Sequence, residues 1–509
     1  MIITEALIGR MGILVTVLAL GCAAGIALGQ TDGPGNESAK FFTLHSFNGL
    51  DGANPNGELT QATNGEFYGT TMNGGANCLD SGGCGTIFKI APSGKLTTLY
   101  SLCSQAGCTD GSLPTAGLIQ ATNGGLYGPA ANGGLYNSGA IFKITQTGTF
   151  TALYSFCAQS GCPDGYVPQG LVQAANGYLY GTTEFDGAAL NSLNGTVFKI
   201  TPGGALTTLY SFCDGCGSHP NEPLIQAANG DLYGVTTSGG KGECNGGSCG
   251  TIFKVSPTGV STFYSPCPQH TCQDGNPPTA LIQATNGDFY GTTLYGGAGV
   301  SCPLSAGCGT LFKLTPTGTL TTLYNLCSQP GCTDGYYPNV LIQAADGNLY
   351  GTTQAGGANG GGTIFKITPS GLSTLYSFCS QPQCSDGTDP SGLMQGTDGV
   401  FYGTTESGGN ITDCAPNFGC GTVFALSVGQ APFVQTRPTI GVVGETVTIL
   451  GDELKGATSV TFNGTPATIL LDDATVILTK VPTGATTGKV QVVTPNGTLM
   501  SNVAFEVAP

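Results

Sequence analysis

Between about residues 41 and 426 the chain alternates apolar and polar positions in short runs, and the runs recur as a unit. Gly-Thr-Ile-Phe-Lys-Ile at 85–90 returns from Gly139, Gly195, Gly250, Gly309, Gly362 and Gly421, at intervals of 54, 56, 55, 59, 53 and 59 residues. Phe-Tyr-Gly-Thr-Thr at 67–71 has counterparts around Tyr127, Tyr180, Tyr233, Tyr290, Tyr350 and Tyr402. Leu-Tyr-Ser-Leu-Cys at 99–103 recurs as Leu-Tyr-Ser-Phe-Cys from 153, 209 and 375. Each unit predicts four strands; in the second they are Leu118–Ala121, Leu126–Gly128, Ala140–Ile144 and Phe150–Phe156. Asn123-Gly124 marks a tight turn in the first pair, and a Thr-Gly turn around Gly148 joins the second.

Four antiparallel strands in about 55 residues suit a propeller blade, which buries its faces only against its neighbours. The seventh unit stops after its third strand, Thr422–Leu426, and the missing fourth pattern stands at the start as Phe41-Phe42-Thr43-Leu44-His45-Ser46-Phe47. The expected fold is all-β: a seven-bladed β-propeller over 41–426, closed by an N-terminal strand so that no sheet edge stays open. A β-solenoid leaves the displaced strand unexplained. The tight turns share one face, which the sequence predicts to be plain. The long connections between strands two and three and between blades share the other, the usual place for binding.

Residues 432–509, after a linker at 427–431, differ in composition and contain no Cys. About seven short strands in this segment suit a small immunoglobulin-like β-sandwich.

At the N-terminus Arg10 precedes the apolar run Met11–Leu20, and Ala27-Leu28-Gly29 suits signal cleavage before Gln30, leaving 30–40 as a linker. A membrane anchor and a lipoprotein at Cys22 are alternatives. The other twenty cysteines form ten close pairs: Cys78 with Cys84, Cys103 with Cys108, Cys157 with Cys162, Cys213 with Cys216, Cys244 with Cys249, Cys267 with Cys272, Cys302 with Cys308, Cys327 with Cys332, Cys379 with Cys384 and Cys414 with Cys420. Behind a signal this reads as disulfides of a secreted or surface protein, all in the long loops, with structural zinc as the alternative.

Gly-Thr-[Ile/Val/Leu]-Phe-Lys with Leu-Tyr-Gly-Thr-Thr resembles the GloVer tandem-repeat family of exported bacterial proteins across 41–426. Departures are Pro129-Ala130 for Thr-Thr, Val235, and Ala425 for Lys. Gly444–Gly451, Ala457–Gly464, Val481–Val490 and Val493–Gly497 make 432–509 similar to IPT/TIG domains, which in exported proteins act as spacers or contact modules. The resemblance implies a secreted or surface protein and supplies no catalytic residues.

The chain's own chemistry is sparse. His45, His219 and His270 have no metal-ligand spacing, and no Gly-x-Ser-x-Gly elbow occurs. Asp-Gly-x-x-Pro recurs at Asp51, Asp110, Asp164, Asp274, Asp334 and Asp386, while Cys213–Pro223 breaks the pattern. Two readings stand: a ring of carboxylates around the central cavity, holding Ca²⁺ or a cationic ligand, or local turns in which Asp accepts backbone hydrogen bonds. Tyr166, Tyr336, Tyr337 and Tyr295 are stacking candidates in a chain without Trp. The formal net charge of −16 survives signal removal, and the propeller has no Arg. Six of its Lys sit in the Phe-Lys strand, and Lys241 is the one in the elaborated loops. Nucleic acid is disfavoured; neutral or cationic proteins, peptides or glycans fit better. The expectation is a non-catalytic exported binding protein without an assigned cofactor. The alternatives are a lyase or hydrolase of an extracellular polymer, marked by a His or Glu cluster in the cavity, and a structural envelope or biofilm component.

Overall fold

The computed structural model describes residues 39–77, 83–185, 194–213, 217–240, 249–257, 259–267, 274–297, 302, 307–410, 414 and 419–508. The expected signal over 1–29 with Cys22, most of the linker after it, Cys78, Cys216, Cys244, Cys272, His270 and Lys241 lie outside the described residues.

Seven four-stranded antiparallel sheets follow one another, each paired in chain order from first strand to fourth. In the second the strands are Ile119–Gln120, Leu126–Ala130, Ala140–Ile144 and Phe150–Ser155. The seventh takes Thr388–Gln395, Phe401–Ser407 and Thr422–Ser427 from its own unit and Lys40–Ser46 from the start of the chain, with Phe41 opposite Leu426. Seven apolar clusters each join two consecutive blades, and one of them joins the last to the first. The period of two in the Gly-Thr-Ile-Phe-Lys-Ile strand explains this. In the first blade Ile87 packs towards blade two, whereas Phe88 and Ile90 pack towards blade seven.

The invariant glycine and proline of the unit meet across each blade junction. A Cβ on Gly85, Gly195, Gly309, Gly362 or Gly421 would stand 2.6–2.8 Å from Cδ of Pro114, Pro220, Pro338, Pro390 or Pro55. The last pair seals the ring. The Thr-Thr motif works within a blade: its second Thr hydrogen-bonds the Thr that opens strand three, at 2.8–2.9 Å in six blades. In blade two both positions are alanine, Ala130 opposite Ala140, so the departure at Pro129-Ala130 removes a whole pair and strands no partner.

A second ring was not read from the sequence. The glutamine ending each first strand accepts a backbone N–H of the preceding blade, from Thr63 to Gln120 round to Thr397 to Gln61, at 2.7–3.0 Å.

The C-terminal domain is a sandwich of a four-stranded and a five-stranded sheet. It has nine strands rather than about seven, because short edge pieces such as Thr465–Ala467 pair separately. Val447, Ile449, Phe462, Ile477, Val490 and Phe505 are among its buried core.

The tight-turn face of the propeller is not bare, as the sequence led one to expect. Arg437 donates to Gln61 O at 2.9 Å and to Gln120 Oε1 at 3.1 Å, Thr475 Oγ1 donates to Thr63 O at 2.8 Å, and Phe433 N–H donates to Thr397 O at 2.9 Å. The C-terminal domain thus sits on the turns of blades seven, one and two. This accounts for Ala425. In four other blades the strand-three Lys pairs with an acid of the first turn, Lys89–Glu66, Lys254–Asp231, Lys313–Asp288 and Lys366–Asp346, at 2.5–3.0 Å. At that corner of blade seven the linker passes instead, with Gln430 Oε1 accepting from Gln395 Nε2 at 2.7 Å.

Candidate functional site

The six Asp-Gly acids sit at the blade junctions beside fourth strands, not around the central channel. Asp110 Oδ2 accepts from Tyr100 OH at 2.8 Å, Ser104 N–H at 2.8 Å and Ser104 Oγ at 2.9 Å. Asp334 and Asp386 repeat this set with Tyr324 and Ser328, and with Tyr376 and Ser380. Asp164 and Asp274 accept from Tyr154 and Tyr264 and from the Cys157 and Cys267 N–H groups. Asp51 bonds His45 of the closing strand at 2.9 Å. Burial, then the acid beside them, pushes the phenols of Tyr154, Tyr264 and Tyr376 up, so each stays a donor. Asp110, Asp334 and Asp386 are completely buried. The reading of these acids as a carboxylate ring around the cavity is therefore corrected. The glycine after the Asp leaves room for the Thr pair at five of these corners, and for Ala130 and Ala140 after Asp110, so the motif is a fold corner.

The cysteines follow the expected pairing wherever both partners are described. Cys103 is bonded to Cys108, Cys157 to Cys162, Cys302 to Cys308, Cys327 to Cys332, Cys379 to Cys384 and Cys414 to Cys420. Cys84, Cys213, Cys249 and Cys267 are also disulfide-bonded. The second cysteine of a pair also shapes the backbone, which spacing alone did not reveal. Cys162 and Cys384 are left-handed, with φ 41° and 51°, and their carbonyls accept the N–H of Gly165 and Gly387 at 2.9 and 2.8 Å. Cys420 instead leads into strand three of blade seven, and its carbonyl accepts the Asn54 N–H of blade one at 2.8 Å. Sulfurs of neighbouring loops do come together, at Cys84, Cys103 and Cys108 and at Cys308, Cys327 and Cys332, within 4.8 Å. They are oxidised, so they offer no thiolate to zinc.

Variety between the units begins one residue before the invariant proline. There the N–H bonds a carbonyl of the preceding blade, as Tyr337 to Cys308 and Asp389 to Gly361 at 3.1 and 3.0 Å. The backbone is left-handed, with φ between 54° and 59° at Asn54, Leu113, Val167, His219, Tyr337 and Asp389. Gly or Asn takes this conformation at least cost; Val and Tyr are strained in it. The units agree at the neighbouring Gly and Pro and differ here.

At the junction of blades six and seven, Tyr337 and Asp389 line a cavity of about 520 Å³ with Gln354, Asn359 and Thr388. Tyr295 and Tyr336 stand edge-on to Tyr337, at 5.5 and 4.9 Å between centroids. Burial, with the Glu406 carboxylate nearby, pushes Asp389 up to about 6. Of the sequence candidates, Tyr336, Tyr337 and Tyr295 gather here. Tyr166 lies apart, stacked on Phe185, whose other neighbour is His219. Asp164 lines a separate cavity of about 470 Å³ with Tyr154 and Tyr210.

Two acids that the sequence reading missed enter the central channel. The unit proline and the first-strand glutamine are six residues apart in blades one, two and four, and five apart in the rest. The extra residue breaks strand one there, leaving only Thr60–Gln61, Ile119–Gln120 and Ile225–Gln226, where the other blades have eight-residue strands. Two of these bulges carry Glu58 and Glu222. Glu58 lies between the inner strands of blades seven and two, whose Gly392 and Gly117 approach its backbone. Its side chain keeps solvent contact, while the surrounding protein pushes its carboxyl up to about 7. Burial and the charge of Glu58 push Glu222 up to about 8.

Family models for the Gloeobacter/Verrucomicrobia repeat match residues 34–189, 160–338 and 244–439. The chain belongs to the Gloeobacter/Verrucomicrobia repeat family. The IPT/TIG domain model matches residues 435–507, the C-terminal sandwich of this repeat protein. Among curated proteins no sequence matches it. Among solved structures it is similar to a copper-bound fungal alcohol oxidase of the AA5 family, at 12% identity and a TM-score of 0.50, covering 93% of this chain and 100% of that one. PorZ, a surface component of the type-IX secretion system of Porphyromonas gingivalis, matches at 14% identity and 0.46, covering 90% of this chain and 60% of PorZ. A PQQ-bound aldose sugar dehydrogenase of Streptomyces coelicolor matches at 11% and 0.40, covering 77% and 99%. At these identities the likeness concerns fold alone. Among the described residues no helix is long and apolar enough to cross a membrane.

Proposed function

We propose that this repeat protein is an exported, non-catalytic binding protein that takes a neutral or cationic ligand, a glycan, peptide or protein, on its disulfide-stapled loop face. The observation that carries the reading is the position before the unit proline. Its backbone favours Gly or Asn, yet the chain keeps Leu113, Val167, His219, Tyr337 and Asp389 there. Strain of this kind persists where the side chain is used. Two of these side chains meet in the cleft between blades six and seven, where Tyr337 supplies a flat face, Gln354 and Asn359 supply amides and Asp389 supplies an acid. Disulfides hold the surrounding loops and argue for an oxidising compartment. The net charge of −16 favours ligands that are not polyanions.

The test is binding of labelled protein to intact cells and to a panel of cell-wall and secreted polysaccharides and peptides. Saturable binding abolished by D389N supports the reading. Binding that D389N and Y337A leave unchanged moves the site off this cleft and contradicts it. A second reading, a lyase or hydrolase acting on an extracellular polymer, is favoured by one observation, the acids Glu58 and Glu222 on first-strand bulges, both with raised pKa values. Release of new chain ends from the same panel by the wild type, abolished in E222Q, establishes that reading in place of the first.

A further inference from the structure

The Asp-Gly corners differ in how completely the acid is satisfied. Asp110, Asp334 and Asp386 each accept four donors: the tyrosine, a serine hydroxyl, and the N–H groups of that serine and of the glutamine after it. Asp164 accepts two, Tyr154 OH at 2.8 Å and the Cys157 N–H at 3.1 Å, both on Oδ2. Ala158 stands where those three loops carry the serine. Asp164 Oδ1 is left without a partner, although the residue is only 8% exposed. Buried polar atoms are almost always paired, so an orphaned carboxylate oxygen calls for a donor that the chain does not supply. The same acid lines the cavity of about 470 Å³ at the fourth strands of blades two and three. Leu206, Leu209 and Pro163 give that cavity an apolar wall, and Tyr154 and Tyr210 an aromatic one. Each tyrosine ring is held edge-on by the phenylalanine two residues further, Phe156 and Phe212, at 5.1 and 5.2 Å between centroids. Tyr210 departs from the unit as well. Ten residues after it stands Pro220 rather than an acid, because the following loop lacks the Asp-Gly corner. Its hydroxyl is therefore not committed to the corner bond that other fourth-strand tyrosines make.

We propose that this cavity receives an arginine side chain of a partner polypeptide, its guanidinium donating to Asp164 and its methylene stem lying on Leu206 and Leu209. A guanidinium brings what the site lacks. It carries donors and no acceptor, stays charged, is weakly hydrated for a cation, and packs against tyrosine rings. Among the described residues no lysine, arginine or histidine lines the cavity, so the acid has no internal counter-charge there. For the same reason a polypeptide suits the site better than free arginine, whose own carboxylate would find no cation beside it. The net charge of −16 draws a basic partner towards the chain. The site shares no residue with the cleft between blades six and seven and does not rest on what binds in that cleft.

The test is titration of the full chain with the peptide acetyl-Gly-Arg-Gly-amide, followed by saturation-transfer NMR on the peptide signals. The same peptide with citrulline, which keeps the shape of arginine without its charge, is the control, and free arginine is a third arm. The expected result is saturable binding of the arginine peptide, with the citrulline peptide and free arginine each at least about tenfold weaker. D164N weakens the arginine peptide by about tenfold or more, and A158S, which returns an internal donor to the acid, by about threefold or more. Ala158 is exposed, so A158S carries the test even where D164N loses its fold. D389N leaves the affinity unchanged, so failure of this site and failure of the cleft are read separately. Four results overturn the proposal: no saturable binding at millimolar peptide, equal binding of the citrulline peptide, free arginine binding as tightly as the peptide, or an affinity that a folded D164N and A158S both leave unchanged.

Discussion

Gly309 has φ +92°, and a Cβ there would stand 2.7 Å from Pro338 Cδ and press on the Thr293 carbonyl. Neither neighbour is the end of a flexible chain. G309A is therefore expected to cost about 3 kcal/mol or more, seen as a lowered midpoint in denaturant unfolding. G124A, at φ +78° with nothing within 4 Å, costs only about 1–2 kcal/mol, the left-handed penalty alone. Both glycines stand in motifs that the sequence shows; the contact of Gly309 is not legible because Pro338 belongs to the next unit. The Asp-Gly acids teach the same lesson. Their tyrosine partner lies ten residues upstream in five junctions, an offset present in the sequence, but only the fold puts the hydroxyl on the carboxylate. Glu58 and Glu222 add a pH dependence. Their pKa values rise from 4.5 in the open chain to about 7 and about 8, so the folded state binds the protons more tightly. Their favourable contribution is thus complete below pH 4.5 and is lost as pH rises through about 7 to 8. Urea unfolding at pH 5 and 8.5 is expected to show a smaller fall in stability for the E58Q/E222Q variant than for the wild type.

At the scale of the element, the paired threonines explain why six blades agree and one departs. Thr293 and Thr310 share a hydrogen bond at 2.9 Å, and Thr293 Oγ1 also accepts the Thr310 N–H at 3.0 Å. T293A and T310A singly each lose the shared bond. The double variant loses it once, so the double-mutant cycle is expected to show about 1 kcal/mol of coupling in chemical denaturation, the value of one buried hydrogen bond. Independent, additive costs contradict the pairing. Strand identity was largely legible, since alternation fixes which side of the blade each residue faces. The bulges were not read, although the longer Pro-to-Gln spacing of blades one, two and four marks them. A one-residue insertion leaves the hydrophobic pattern on both sides intact, so it is silent in a reading built on periodicity. The nine strands of the C-terminal sandwich differ from the expected seven for a related reason, as two- and three-residue edge pieces carry no alternation of their own.

Closure of the whole molecule was legible from the displaced strand, because a missing fourth strand at one end and a spare one at the other have one economical solution. The docking of the C-terminal domain was not. Tight turns look alike whether they face water or a partner, and the one hint was Ala425 where other units carry Lys. Arg437 anchors that contact through the neutral oxygens of Gln61, Gln120 and Gln435, and burial pulls it down to about 10 without discharging it at neutral pH. R437A leaves the Gln61 carbonyl and the Gln120 amide without that donor. Proteolysis between residues 427 and 433 is expected to accelerate severalfold, with each domain otherwise intact; an unchanged cleavage rate contradicts the clamp. The C-terminal domain covers the turns of blades seven, one and two, and the strained residues before the prolines favour the loop face for the proposed partner. The most direct test is the equilibrium affinity of wild type and Y337A for the same target cells. The account predicts a loss of at least tenfold with an unfolding temperature close to that of the wild type. Equal affinity of the two proteins contradicts it.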